Sequence, residues 1–262
     1  MHPRLFVVPF VLSFGVAACG GGSQPAPAPA AETAAPAATV DPATAATVAG
    51  KVNLEGTPPA NAPIQMKADP ACMKANEGNK PTQETYVGDA GALGNVFVYV
   101  QSGISGTFPA PTTAFVFDQK ACHYNPHVFG VQVGQPIEIV NSDATLHNIH
   151  AMPKTNQEFN TAQPIQGMKT SHTFTTKEES VVIPFKCDVH GWMNAFVGVL
   201  DHPYFAVTKN DGTFSIPNLP PGKYTLAAWH EKLGTQTLEV TVAAKESKSD
   251  ANFTFKAPAG AN

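Results

Sequence analysis

The sequence predicts an all-β chain, and three observations carry the prediction. Short apolar or alternating runs rich in Val, Ile, Phe and Tyr recur along it, separated by turns built from its 21 Gly and 24 Pro. Such runs bounded by turn residues read as strands. No long stretch repeats apolar residues at helical spacing. With 43% hydrophobic and 14% charged residues, a chain of 262 can bury one large or two modest cores. The formal net charge is −4 and no basic cluster is present, which argues against nucleic acid as a partner.

The elements follow in order. His2 and Arg4 precede an apolar stretch, Leu5 to Ala18, that is too short for a permanent membrane span. It ends Val16-Ala17-Ala18-Cys19-Gly20, which resembles a bacterial lipobox. That resemblance implies a signal peptide at 1–18, cleavage before Cys19, and acyl chains on the Cys19 sulfur and amine. With no Asp after the Cys, it implies the outer membrane, facing the periplasm or the cell surface. The competing reading is an ordinary signal peptide cut near Ala18, which would leave an unpaired thiol. Residues 19–47 are Gly/Ser- and then Ala/Pro-rich with almost no charge, and read as a tether. A β segment at 48–93 opens with the alternating run at Val48-Ala49-Gly50-Lys51-Val52, and Asp69 to Gly78 suits one short helix. Asn95 to Val100 and Ala114 to Phe117 read as strands, with Gly103 to Thr113 as a loop.

The chemistry sits in Cys187-Asp188-Val189-His190-Gly191-Trp192-Met193, a C-x2-H-x2-M loop between the β-branched run Val181 to Lys186 and the second run Ala195 to Leu200. A further imidazole lies upstream at His147, in Leu146-His147-Asn148-Ile149-His150. Two imidazoles, a thiolate and a weak axial thioether select copper for electron transfer. Zinc competes, but a structural zinc takes four Cys or His ligands and gains little from a thioether. In an extended strand residues 147 and 150 face opposite ways, so His150 does not join His147 on one ion.

The loop resembles the cupredoxins, the blue-copper family of plastocyanin and azurin, and its tight spacing is most similar to amicyanin. His147-Asn148 is similar to the start of that family's first ligand segment, and Val131-Gln132-Val133-Gly134-Gln135-Pro136-Ile137 to the strand pair before it. The resemblance covers residues 94–200 and implies a Greek-key β-sandwich holding one copper ion, cycling between Cu(I) and Cu(II), on His147, Cys187, His190 and Met193. It also implies that Asn148 ties its strand to the Cys loop and that the His190 ring edge reaches solvent. Trp192, with Met152 and Pro153, is then a candidate patch for docking redox proteins. Met168 is a distant rival for the axial position.

After Leu200 the pattern changes. Asn210-Asp211-Gly212 between alternating runs signals a hairpin. With Leu219-Pro220-Pro221-Gly222-Lys223-Tyr224 it resembles the carboxypeptidase-regulatory-like, transthyretin-like β-sandwich over 201–256. A full strand set is lacking there. The Gly50-Lys51-Val52 strand resembles such a domain's opening strand, so the cupredoxin is either nested in the small sandwich or shares its core. His202, His230 and Glu231 read as satisfied surface groups, and the roles of His127 and His202 stay open.

With Cys19 assigned to lipid and Cys187 to copper, Cys72 and Cys122 remain, and thiols pair in an oxidising compartment. The alternative is a second metal site using Cys122 with His123 or His127. Paired His-x-His ligands, a second loop Cys and a C-x-x-C-H haem attachment are all missing, so no enzyme, haem or nucleotide chemistry is expected. Three functions compete: an envelope-anchored electron carrier, a copper storage or delivery lipoprotein, and a structural, partner-binding module. The anchoring is tested by Cys19→Ser, which should move the protein from the membrane to the soluble fraction on fractionation.

Overall fold

The structure, a computed structural model, describes residues 40–258. The signal-peptide and lipidation assignments, Cys19 included, lie outside the described residues. Val40 packs against an apolar core and Asp41 caps a turn by accepting from the Ala43 N–H, so the expected tether stops short of residue 47. β1 (Ala46–Glu55) follows. A covering segment then carries one short helix, α1 (Pro70–Ala75), whose N-cap is Asp69. Next come β2 (Phe97–Ser102), β3 (Phe115–Lys120), β4 (His123–Asn125), β5 (Val128–Gln132) and β6 (Pro136–Asn141). They are followed by β7 (His147–Ala151), β8 (Phe159–Gln163), β9 (Lys169–Thr173), β10 (Val182–Lys186) and β11 (Asn194–Leu200). The chain ends with β12 (Phe205–Val207), β13 (Thr213–Leu219), β14 (Gly222–His230), β15 (Gly234–Val242), β16 (Ser247–Lys248) and β17 (Phe253–Lys256).

The fold is all-β. Its strands form four sheets: β13-β1-β16 with β17 also on β1, then β12-β2-β14-β15, then β5-β11-β10-β7-β8, and β4-β3-β6-β9. Three apolar clusters fill the gaps between successive sheets. Val48, Val52, Val98, Leu226 and Phe253 fill the first, Phe97, Tyr99, Leu200 and Ala227 the second, and Phe117, Ile139, Ile183 and Phe185 the third.

The domain boundary expected at residue 94 falls elsewhere. β2 pairs with β12 and β14, so it belongs to the sandwich completed by the C-terminal strands. β1 pairs with β13, β16 and β17 and belongs there too. The sandwich made of β3 to β11 is thus inserted between β2 and β12. The expected hairpin at Asn210-Asp211-Gly212 is also corrected. The turn forms, with the Gly212 N–H donating to the Lys209 carbonyl and Gly212 at φ +77°, but β12 pairs with β2 whereas β13 pairs with β1. Turn chemistry is local, whereas the partner of each strand is chosen by which apolar face it must bury.

β2 shows why the two sandwiches are not separable. Phe97, Val98, Tyr99 and Val100 are all buried, without the alternation of a half-exposed strand. Val98 and Val100 face the first cluster, and Phe97 and Tyr99 face the second. Phe97 fits a hole made by two glycines paired across β5 and β11, Gly130 and Gly198. A Cβ on Gly198 would lie 2.2 Å from the Phe97 ring, and one on Gly130 would lie 2.6 Å from it. Phe97→Ala empties this contact and should cost about 3–5 kcal/mol. Denaturant unfolding should show that loss in one shared transition, because β2 is buried on both faces from Phe97 to Val100.

Candidate metal centre

The C-x2-H-x2-M loop is the tip of the β10–β11 hairpin, whose register pairs Lys186 with Asn194. Two backbone bonds close it: Cys187 N–H to the Met193 carbonyl at 3.1 Å, and Met193 N–H to the His190 carbonyl at 2.8 Å. The His190 N–H points at the Cys187 Sγ, 3.3 Å away. β7 lies beside β10 with His150 opposite Lys186, which sets His147, the first residue of β7, next to the loop. Cys187, His147 and His190 are buried, at 2%, 0% and 3% exposure.

The two imidazoles turn the same nitrogen inward. His147 Nδ1 and His190 Nδ1 are 2.9 Å apart, and His190 Nδ1 is 3.8 Å from Cys187 Sγ. All three donor atoms lie within 4.8 Å of one another. Bonds of about 2.0 Å to nitrogen and 2.3 Å to sulfur from a single ion would set its donors roughly 3–4 Å apart. Each outer nitrogen meets a carboxylate: His147 Nε2 at 3.0 Å from Asp143 Oδ2, and His190 Nε2 at 3.0 Å from Asp69 Oδ2. An ionised carboxylate only accepts, so each Nε2 must donate, and a neutral ring then presents its Nδ1 lone pair inward. Two such nitrogens at 2.9 Å need a shared proton or a metal ion between them. The residues therefore fit a metal ion.

Asp143, Asp69, His147 and Cys187 are each shifted by their partners. Burial disfavours the Asp143 anion, but hydrogen bonds from His147 and from the Cys122 and Ala121 N–H groups outweigh it and hold its pKa below the usual range. Asp69 is held at about 2; its partial burial opposes this, and bonds from Thr145, Cys72, His190 and Ala71 prevail. Burial likewise opposes a charged His147, yet hydrogen bonds to Asp143 and Cys187 lift it to about 9. Cys187 moves the other way: burial raises it, and donors from His147, Asn148, His190 and Val189 lower it further, toward the thiolate that binds metal.

Around this set, Asn148 Oδ1 accepts from the Asp188 N–H at 2.8 Å and lies 3.3 Å from Cys187 Sγ, linking β7 to the loop. Met193 is buried in the apolar cluster that contains Cys187. Met168 sits in the turn before β9, with its N–H on the Ile165 carbonyl. His150 is bonded outward to Asp188 and Glu158.

Three expectations are corrected, and the expected Cys72–Cys122 disulfide is present. The His190 ring edge does not reach solvent, because α1 and Asp69 cover it. Trp192 packs on His190 with ring centroids 5.0 Å apart and donates its indole N–H to the Cys122 carbonyl, whereas Met152 lies by Pro184, before the loop, so Trp192, Met152 and Pro153 do not form one patch. Cys122 is bonded to Cys72 in a disulfide, and His127 is taken by Glu231 at 2.7 Å, which leaves no second site on Cys122 with His123 or His127. His202 and His230 are buried, not surface groups, and donate their Nε2–H to the Val100 and Thr85 carbonyls. Asp69 and Asp143 were not foreseen. The Asp69-Pro70 helix cap is readable locally, but its second partner is 121 residues away.

A family model for the carboxypeptidase regulatory-like domain matches residues 193–256. The match leaves out β1 and β2, which complete that sandwich from the front of the chain. No curated protein matches. Among solved structures, a copper-containing nitrite reductase from Thermus scotoductus SA-01 is similar at 19% identity over 40% of this chain and 25% of its own, with a TM-score of 0.32. A purple cupredoxin from Nitrosopumilus maritimus is 22% identical over 32% of this chain and 98% of its own, with a TM-score of 0.28. A Cu(I) form of an amicyanin mutant is 24% identical over 39% of this chain and 97% of its own, with a TM-score of 0.29. The chain thus spans a quarter of the nitrite reductase and nearly all of the two smaller proteins.

The Asp143 carboxylate has three donors to satisfy, two of them backbone N–H groups. Asp143→Asn sets an amide N–H against at least one of them, which should cost roughly 1–3 kcal/mol. Denaturant unfolding of the metal-free chain, with its disulfide intact, reads the loss.

Proposed function

We propose that this chain is an envelope-anchored type 1 copper protein that carries single electrons between redox protein partners. The observation that carries the reading is the convergence of two buried Nδ1 atoms and one thiol, two of the donors on the β10–β11 loop and the third at the start of β7. Bound copper would supply a one-electron Cu(I)/Cu(II) couple and an intensely coloured bond to thiolate. His147, Cys187 and His190 would hold it, and Met193 would stand as a weak axial contact. The hairpin closure from Cys187 to Met193 and the Asn148 bridge hold these ligands in place, so little has to move when the charge on the ion changes. Burial excludes water from the ligands. The acylated Cys19 would fix the protein to the bilayer, since more than one acyl chain is enough for stable anchoring.

Partner docking has a different candidate surface from the one expected. Leu146, Val189 and Met73 are 40%, 49% and 51% exposed. They are the chain neighbours of His147, His190 and Cys72. The three segments that carry them meet at Asp69, which accepts from Thr145 and His190 and is itself the helix cap. A small apolar surface of this kind suits a weak redox encounter. Copper storage or delivery is the competing reading, and a structural module built on the C-terminal sandwich is the third.

The test is a visible spectrum of the copper-loaded, oxidised protein, followed by repeated reduction and oxidation against a Cu(I) chelator of moderate affinity. The expected results are an intense band and full retention of copper; loss of copper on each reduction would favour delivery or storage. Cys187→Ser should abolish the band. Met193→Leu should keep the metal and the band while the reduction potential rises, because a thioether donates electron density that favours the oxidised ion.

A further inference from the structure

Asp69 belongs to neither sandwich. It lies in the covering segment between β1 and β2, and its two oxygens do different work. Oδ1 accepts from the Ala71 and Cys72 N–H groups at 2.8 and 3.1 Å and so caps α1. Oδ2 accepts from Thr145 Oγ1 at 2.7 Å and from His190 Nε2 at 3.0 Å. The helix it caps is clipped by the Cys72–Cys122 disulfide to the segment whose backbone Asp143 holds. Cys72 Sγ is itself 3.7 Å from His190 Nε2. One carboxylate therefore stands behind each imidazole, and the disulfide joins the segments that place them.

We infer that Asp69 is a positioning residue of the metal centre, reaching in from outside the metal sandwich to lock His190 with its Nδ1 inward and to keep that ligand on the ion when the ion's charge changes. The inference rests on the copper reading and deepens it by giving the covering segment a role in metal retention and in the reduction potential. An imidazole with a free outer edge can swing away about its side-chain bonds. His190 must first break a charge-assisted hydrogen bond. The carboxylate also raises the donor strength of the ring, as acidic partners of metal-bound histidines do, which favours the more highly charged ion.

The variants Asp69→Asn and Asp69→Ser separate this role from the helix cap, because Asn and Ser are both good N-caps. Asn keeping the cap with its oxygen turns an N–H donor toward the His190 N–H. Ser is too short to reach His190. Thr145→Val is a milder companion that leaves the cap alone and removes one donor orienting Oδ2. The full chain is loaded with copper, thiol titration checks that the disulfide is intact, and thermal unfolding is compared in the metal-free state. Cu(I) retention against a chelator, the visible spectrum and the potential are then read. Both Asp69 variants should lose Cu(I) roughly 10–100-fold more readily. They should lose Cu(II) by a larger factor, so that the potential rises, and by more than any loss of metal-free stability accounts for. Thr145→Val should move the same way by less. Coloured variants with wild-type retention and potential would overturn the Asp69 assignment and leave the copper reading standing. A copper-loaded wild-type protein without an intense band would overturn that reading and this inference together.

Discussion

Two imidazole nitrogens that face each other inside an apolar core require something behind each ring to decide which nitrogen carries its proton. Here that something is a carboxylate in both cases, Asp143 behind His147 and Asp69 behind His190. Because a carboxylate can only accept, both rings donate outward and turn Nδ1 inward, beside the Cys187 sulfur. The rest of the site follows from holding these groups still. Asn148 bridges β7 to the loop, the Cys187–Met193 backbone bond closes the loop, and the apolar cluster around Phe117 and Phe185 excludes water.

The two carboxylates come from different places, Asp143 from within the sandwich of β3 to β11 and Asp69 from the covering segment outside it. Asp143 is fixed by the Ala121 and Cys122 N–H groups, and Asp69 by the first turn of α1. The Cys72–Cys122 disulfide ties the two together. Closing a loop of this span, with the cysteines 50 positions apart, restricts the unfolded chain most of all. The same bridge keeps the covering segment over His190. One covalent link thus serves both stability and the arrangement of the ligands, and Trp192 seals the gap between them.

The nested architecture adds rigidity of another kind. β2 and β14 sit between two cores, so Phe97 to Val100 and Leu226 to Ala228 are buried whichever face they point to, and Phe97 enters the hole left by Gly130 and Gly198. The hairpin that carries Cys187 and His190 includes β11, and β11 lines that second core through Phe196 and Leu200. The C-terminal sandwich is therefore the back wall of the strand on which the ligand loop is mounted, which gives it a structural part in the site although it contributes no ligand.

The sequence by itself determined the fold class, the ligand loop between two core strands and the candidate donors His147, Cys187, His190 and Met193. Each of these is written in local spacing: alternation in the strands, C-x2-H-x2-M in the loop, and His next to Asn at a strand start. It also left Cys72 and Cys122 as a pair once the other two thiols were assigned. The tertiary structure decided what local spacing cannot encode. It moved β2 into the second sandwich, sent β12 and β13 to different sheets despite their turn, buried His190 beneath α1 and brought Asp69 to it across 121 residues. In each case the reason is the same. Strand pairing and hydrogen bonding between distant residues depend on which apolar faces must be covered and which buried polar atoms must find partners, and both are properties of the packed chain.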